Sequence, residues 1–163
     1  MIQEDELREI EELKASLLGQ AKQAALKKLD RRERSSGEIR VFLKSLGFSP
    51  ETISQTIEEL QARNYLNDER YSRALIRELG RGGKGPTWIQ MKLRQKGIQL
   101  DRAEIENLLL EVADTSELDA ARKLFARKFP HELKDFSEKR KAFQILLRRG
   151  FSYEVAQKVI KKS

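Results

Sequence analysis

VFLKSLGFSP at 41–50, MKLRQKGIQL at 91–100 and QILLRRGFSY at 144–153 decide how this chain folds. Each is the end of a basic amphipathic helix, then a glycine, then an apolar residue, then a polar start for the next helix. Gly47, Gly97 and Gly150 stand 50 and 53 residues apart, a spacing that predicts a three-fold helical repeat. Repeats of this kind build extended surfaces, which bind more often than they catalyse.

Working outward, the first unit covers 21–66. Ala21, Ala24, Ala25 and Leu29 form its first apolar stripe, and Ile39, Phe42, Leu43 and Leu46 form the second. Ser35 with Glu38 three residues later is a capping-box signal. Gly47 suits the left-handed position that closes a helix, and Ser49-Pro50 restarts the chain as cap and first helical residue. Ile53, Ile57 and Leu60 line the third helix. The second unit, 67–113, repeats this order. Asp68 is expected to cap a helix carrying Tyr71, Ala74, Leu75 and Leu79. GRGGKGP at 80–86 reads as a flexible connection to Trp88, Met91 and Leu93, and Asp101 caps Ile105, Leu108, Leu109 and Val112. The third unit, 114–163, carries Leu118, Ala121, Leu124 and Phe125, a longer joint with Pro130, then Phe143, Leu146 and Leu147, and after Gly150 a last helix with Val155, Val159 and Ile160. Ahead of all three, residues 1–20 form an acidic helical extension whose Ile2, Leu7, Ile10, Leu13 and Leu17 share one face. Gly19 is expected to end or break it. The fold class predicted is all-α: three tandem three-helix repeats in an elongated, curved arrangement, with an extra N-terminal helix.

Composition agrees with a folded but very polar chain. Of its 163 residues, 39% are hydrophobic and 36% charged. The absence of cysteine excludes disulfides, thiolate catalysis and zinc–sulfur sites. No apolar run approaches the length of a membrane span, so no membrane association is expected. The N-terminus lacks the apolar core of a signal peptide, so the expected location is cytoplasmic. Net charge is +7, yet residues 1–20 contribute −4, which leaves +11 on the remainder. A basic body favours anionic partners such as DNA or an acidic protein groove. Solubility alone is the plainer explanation of such charge.

Little here suggests catalysis. His131 is the lone histidine and reads as a cap or a solvated side chain, so no metal site is expected. GRGGKGP does not fit a phosphate-binding loop of the form G-x-x-x-x-G-K-[ST], because Gly85 follows Lys84 and the flanks are helical. Arg77, Arg81 and Lys84 nevertheless place positive charge near the unpaired N–H groups of the helix that Pro86 begins, where an anion could sit. Carboxylate pairs such as Asp68/Glu69 and Glu58/Glu59 are explained by capping and surface charge. An enzyme is not expected, nor a cofactor. Basic clusters fall at Lys27, Lys28, Arg31, Arg32 and Arg34, at Lys92, Arg94 and Lys96, and at Lys139, Arg140, Lys141, Arg148 and Arg149. Spread over all units, they suit non-specific phosphate contacts better than base reading. Trp88 on an amphipathic helix reads as core rather than as a base-stacking platform.

These residues resemble the RecX family of bacterial recombination regulators. NYLNDERYSRALIREL at 64–79 is similar to the family's G-Y-L-[DN]-D-x-R-[FY]-A segment through Tyr65, Leu66, Asn67, Asp68, Arg70 and Tyr71. GKGPTWIQMKLRQKGI at 83–98 is similar to the I-x-x-x-L-x-x-K-G-[IV] segment through Gly85, Ile89, Leu93, Lys96, Gly97 and Ile98. Arg32, Ser35, Glu38 and Ile39 resemble R-x-x-S-x-x-E-[LI], and LLRRGFSYEV at 146–155 the closing repeat. Asn64 and Ser72 depart from the glycine and alanine common at their positions, and the first twenty residues lie outside the match. The resemblance implies a non-catalytic modulator that lies along the RecA filament on single-stranded DNA and depresses its ATPase, strand-exchange and co-protease activities. Its expected state is a monomer. Contact candidates are Arg31, Arg32, Arg34, Arg70, Arg73, Arg77, Lys84, Lys92, Arg94, Lys96, Arg140, Arg148 and Arg149, while Gly47, Gly97 and Gly150 are repeat caps. Two alternatives stay open: a non-specific DNA-binding protein independent of RecA, and a protein-binding scaffold whose charge serves solubility.

Overall fold

Short polar caps and short apolar stripes divide this chain into helices too brief to be stable alone, so packing must hold them. The computed structural model describes residues 3–163. Ile2, expected on the N-terminal apolar face, lies outside the described residues. Among these residues the structure is helical throughout: α1 (Glu4–Arg31), α2 (Ser36–Ser45), α3 (Pro50–Ala62), α4 (Asp68–Arg81), α5 (Pro86–Gln95), α6 (Arg102–Ala113), α7 (Glu117–Lys128), α8 (Phe136–Arg148) and α9 (Tyr153–Lys161). They form tandem three-helix repeats, the architecture that the glycine spacing predicts.

The three glycine junctions are built alike. Gly47, Gly97 and Gly150 have φ of +86°, +78° and +91°, the left-handed conformation that a side chain resists. At each, the apolar residue after the glycine donates its N–H back to the preceding helix: Phe48 to the Leu43 carbonyl at 3.3 Å, Ile98 to Leu93 at 2.9 Å and Phe151 to Leu146 at 3.2 Å. This satisfies carbonyls that a helix end leaves open. It also turns the apolar residue inward, and Ile98 and Phe151 are buried.

The helix starts follow the sequence with one exception. Ser35 and Glu38 close a capping box, as do Asp101 and Glu104, while Ser49 and Ser152 accept from Thr52 N and Val155 N. On α4 the cap is Asn67, whose Oδ1 accepts from Arg70 N at 2.9 Å. Asp68 instead accepts from the backbone N–H of Ser36 at 2.7 Å and from its hydroxyl. A carboxylate that can satisfy two donors of a neighbouring helix start is better used there than on its own N–H groups.

The expected break at Gly19 is absent: the acidic extension and the first repeat's opening helix are one 28-residue helix. A mid-helix glycine costs only about 1 kcal/mol relative to alanine, and the flanking turns carry the helix through. Three other expectations shift. Leu46 is 53% exposed rather than core. On α4, Tyr71 is buried as expected, but Ser72 and Ile76 are buried as well while Ala74 is exposed, so the inward face is shifted toward Ser72 and Ile76. The segment 80–86 is not a loose connection, because Gly83 and Lys84 close α4 on the carbonyls of Gly80 and Leu79.

The chain divides into two compact units, one ending at Tyr71 and the other running from Ser72 to Ser163. In the first, α1 packs on α3 and α2 around Ala21, Ala25, Ile39, Leu43, Ile57 and Leu60. In the second, α5 packs on α6, and α9 packs on α7 and α8 around Leu124, Leu146, Phe151 and Val159.

Candidate nucleic-acid interface

A basic side chain is available to an external anion only if its own chain has not neutralised it, and this sorts the contact candidates. Five are engaged internally. Arg32 pairs with Glu38 at 3.3 Å, and Arg34 approaches the same carboxylate at 3.9 Å. Arg70 pairs with Glu33 and donates to the Asn64 carbonyl at 3.3 Å. Arg73 pairs with Glu111 at 2.6 Å, and Arg77 donates to the Val112 carbonyl at 3.0 Å. These arginines hold helix corners. The same corner shapes Tyr71, whose phenol pKa is raised by burial first and by the Glu38 carboxylate second, with Arg32 pulling it back.

Arg31, Arg94 and Arg140 are exposed. Lys96 caps the end of α5. Lys84, Lys92, Arg148 and Arg149 come together in the second unit, and none of them has a carboxylate at ion-pair distance among the described residues. Their meeting depends on a backbone crossing. Gly85 N–H donates to the Arg149 carbonyl at 2.7 Å, and Thr87 N–H donates to the Gly150 carbonyl at 3.1 Å. A Cβ on Gly85 would lie 2.5 Å from the Gly150 carbonyl, and one on Gly150 would strike the Trp88 backbone. Two glycines, 65 positions apart in sequence, thus let the α4–α5 connection touch the α8–α9 junction.

This crossing revises the anion reading of the α5 start. Two of the N–H groups expected to be open are occupied by the carbonyls of Arg149 and Gly150, so the helix end is already capped. The positive charge lies one turn further along. Lys84 Nζ sits 4.0 Å from the Trp88 ring centroid and Lys92 Nζ 5.1 Å from it, so lysines at i−4 and i+4 bracket one indole. The Lys84 pKa is lowered, by burial first, then by Arg149 and by Lys92. Desolvation leads, and the two neighbouring cations add to it. Lys84, Lys128, Ile145, Arg148 and Arg149 line a shallow depression of about 330 Å³. Trp88 is half-buried rather than fully in the core. Lys128, which reaches the depression from the end of α7 beside Arg127, is a member that the sequence reading missed.

The second and third repeats are also locked by Glu117. Its Oε1 accepts from Ser152 N at 2.6 Å and pairs with Arg102 Nη2 at 2.8 Å, joining the starts of α7 and α9 to α6.

Models of RecX domains match this chain three times: the first three-helix domain over residues 21–60, the second over 67–106 and the third over 115–160. Regulatory protein RecX of Actinobacillus pleuropneumoniae serotype 5b is 34% identical over 125 residues, covering 76% of this chain and 79% of that protein. This chain belongs to the RecX family. RecX of Streptococcus sanguinis is 35% identical over 159 residues, 96% of this chain and 59% of that protein. RecX of Lactobacillus johnsonii is 35% identical over 159 residues, 94% of this chain and 58% of that protein. The chain therefore spans about three fifths of the length of these two relatives. The crystal structure of RecX from Lactobacillus salivarius superposes with a TM-score of 0.75 at 28% identity, over 91% of this chain and 97% of that one. A second RecX crystal structure has the same fold, with a TM-score of 0.78 over 100% of this chain and 81% of that one. In this RecX chain, Arg32, Ser35, Glu38, Asp68, Arg70 and Tyr71, which carry much of the family resemblance, meet at the corner where α4 joins the first repeat. No helix among the described residues is long and apolar enough to cross a membrane.

Proposed function

We propose that this RecX-family chain is a non-catalytic modulator that binds the RecA filament on single-stranded DNA and depresses its ATPase, strand-exchange and co-protease activities. We read residues 21–66, 67–113 and 114–163 as three contact modules on an acidic 1–20 extension. The observation that carries the DNA part is the group formed by Lys84, Lys92, Arg148 and Arg149 beside Trp88. Unneutralised cations held close together are destabilising until an anion arrives, so their placement favours phosphate. Backbone contacts of this kind carry no sequence information, which suits a partner that coats DNA of any sequence. Several weak contacts on one chain gain strength through effective concentration.

The test is hydrolysis of ATP by the cognate RecA on single-stranded DNA, titrated with this protein, beside its binding to the same DNA without RecA. Inhibition well below one chain per RecA, with weak DNA binding alone, supports filament binding. No effect on the ATPase together with strong, salt-sensitive direct binding supports the alternative of an independent DNA-binding protein, which the same cation group favours. No DNA dependence, with no response to neutralising Arg148 and Arg149, leaves the protein scaffold.

A further inference from the structure

Helix α1 is the part of this molecule that its own chain does not explain. Its buried residues, Ala21 and Ala25, lie in its second half. Its first half exposes Leu7, Ile10, Leu13 and Leu17, with Leu13 at 61%, so a stripe of four large apolar side chains faces solvent. Single exposed leucines are ordinary, but a helical stripe of them marks a contact surface. The charge of α1 is also divided. Six acidic residues against two basic ones occupy the stretch to residue 20, whereas Lys22, Lys27, Lys28 and Arg31 follow it with one acid, Asp30; Lys22 pairs with Glu59 and Lys28 lies over the Phe42 ring, which leaves Lys27 and Arg31 for a partner.

We propose that the occupant of this face is a second copy of the chain, with the two α1 helices packed antiparallel. A seam from Glu6 to Arg31 keeps alternating spacings of four and three residues, through Ile10, Leu13, Leu17, Gln20, Ala24 and Lys27. That is the period of a two-helix coil. In the antiparallel register that centres between Leu18 and Gly19, Glu6 meets Arg31, Ile10 meets the stem of Lys27, Leu13 meets Ala24 and Leu17 meets Gln20. The pairs occur twice by symmetry, as a two-fold interface requires. In the second half of the seam Gln20, Lys27 and Arg31 are exposed and Ala24 is half-buried at the edge of the first repeat's core, and Arg31 has no carboxylate partner in its own chain among the described residues. Gln20, Ala24 and Lys27 border an open groove of about 960 Å³ whose wall includes Leu26 and Tyr65, so room exists beside the seam. A parallel pairing would set Glu4, Asp5, Glu6 and Glu9 against their own copies, and that repulsion selects the antiparallel arrangement. The interface replaces the monomer expected from the sequence and withdraws Arg31 from the candidates for filament contact.

The test uses the whole chain, which has no native cysteine. Sedimentation equilibrium through the micromolar range should give a dimer. Under mild oxidation, a mixture of Ile10→Cys and Lys27→Cys chains should cross-link, and neither variant should cross-link with itself. Like residues in this register lie 17 positions apart along the axis, about 26 Å. Leu13→Glu should give a monomer with the helical circular dichroism of the parent. Glu6→Arg should weaken the dimer at least several-fold, and adding Arg31→Glu should restore it. A monomer at every concentration, self-cross-linking of Ile10→Cys, or a dimer indifferent to Leu13→Glu and to Glu6→Arg would each overturn the proposal. A monomer that loses RecA or DNA binding on Leu13→Glu also overturns it and assigns the stripe to that partner.

Discussion

Replacing Gly150 by alanine tests whether the backbone crossing beneath the cation group is as tight as described. The cost has two parts. Holding a side chain at φ +91° costs about 1–2 kcal/mol. The added methyl also collides with the Trp88 backbone, which cannot yield without parting the two backbone segments. Parting them breaks the bonds from Gly85 N to Arg149 O and from Thr87 N to Gly150 O, each worth roughly 1 kcal/mol net. Together these give about 3–4 kcal/mol. Gly47→Ala is the control for the first part. Its φ is +86°, but a Cβ there has nothing within 4 Å, so about 1–2 kcal/mol is expected. Gly85→Ala isolates the second part, since its φ of −86° carries no strain, and about 2 kcal/mol is expected from the broken bonds. Urea unfolding supplies the assay. The single tryptophan reports the second unit for the Gly85 and Gly150 variants, and circular dichroism reports Gly47→Ala. Equal destabilisation by Gly150→Ala and Gly47→Ala would refute the close crossing, because conformational strain alone would then account for both.

Three further outcomes are expected. Lys84 should titrate below an ordinary lysine; Arg149→Gln and Lys92→Gln should each raise its midpoint, and a bound oligonucleotide should raise it too, because an anion favours the protonated form. Since Lys84 titrates lower folded than unfolded, unfolding takes up a proton between the two values, and this site's contribution to stability rises with pH across that window; side-chain NMR or Trp88 fluorescence against pH reads the midpoint, and an unchanged value in Arg149→Gln contradicts the coupling. Glu117→Ala removes the acceptor for both Ser152 N–H and Arg102, and should destabilise by about 2–3 kcal/mol in the same urea assay, an effect that a merely surface carboxylate would not produce. Arg148→Gln with Arg149→Gln should weaken single-stranded DNA binding and flatten the slope of log affinity against log salt by about 0.7 for each phosphate no longer neutralised, whereas unchanged slopes would remove the cation group from the interface.

The repeat was legible because its signals are local. A glycine at the end of a basic helix, an apolar residue after it and a serine or aspartate before the next helix act within five or six residues, and the caps at Ser35, Ser49, Asp101 and Ser152 form as written. Helix type and order, and the separation of an acidic start from a basic body, therefore belong to the sequence. Which arginines stay available does not. Arg32, Arg70 and Arg73 look like Arg148 and Arg149 along the chain, yet the first three find Glu38, Glu33 and Glu111 across helix boundaries and the last two find no carboxylate at ion-pair distance among the described residues. Arg70 and Glu33 are 37 positions apart, and Gly85 and Gly150 are 65, separations at which periodicity carries no information. The crossing of those two glycines turned an expected flexible connection into a fixed corner, capped the α5 start with carbonyls and moved the positive charge onto Trp88. Charge is a property of residue type, and the sequence determines it. Neutralisation is a property of distance, and only the packed helices decide it.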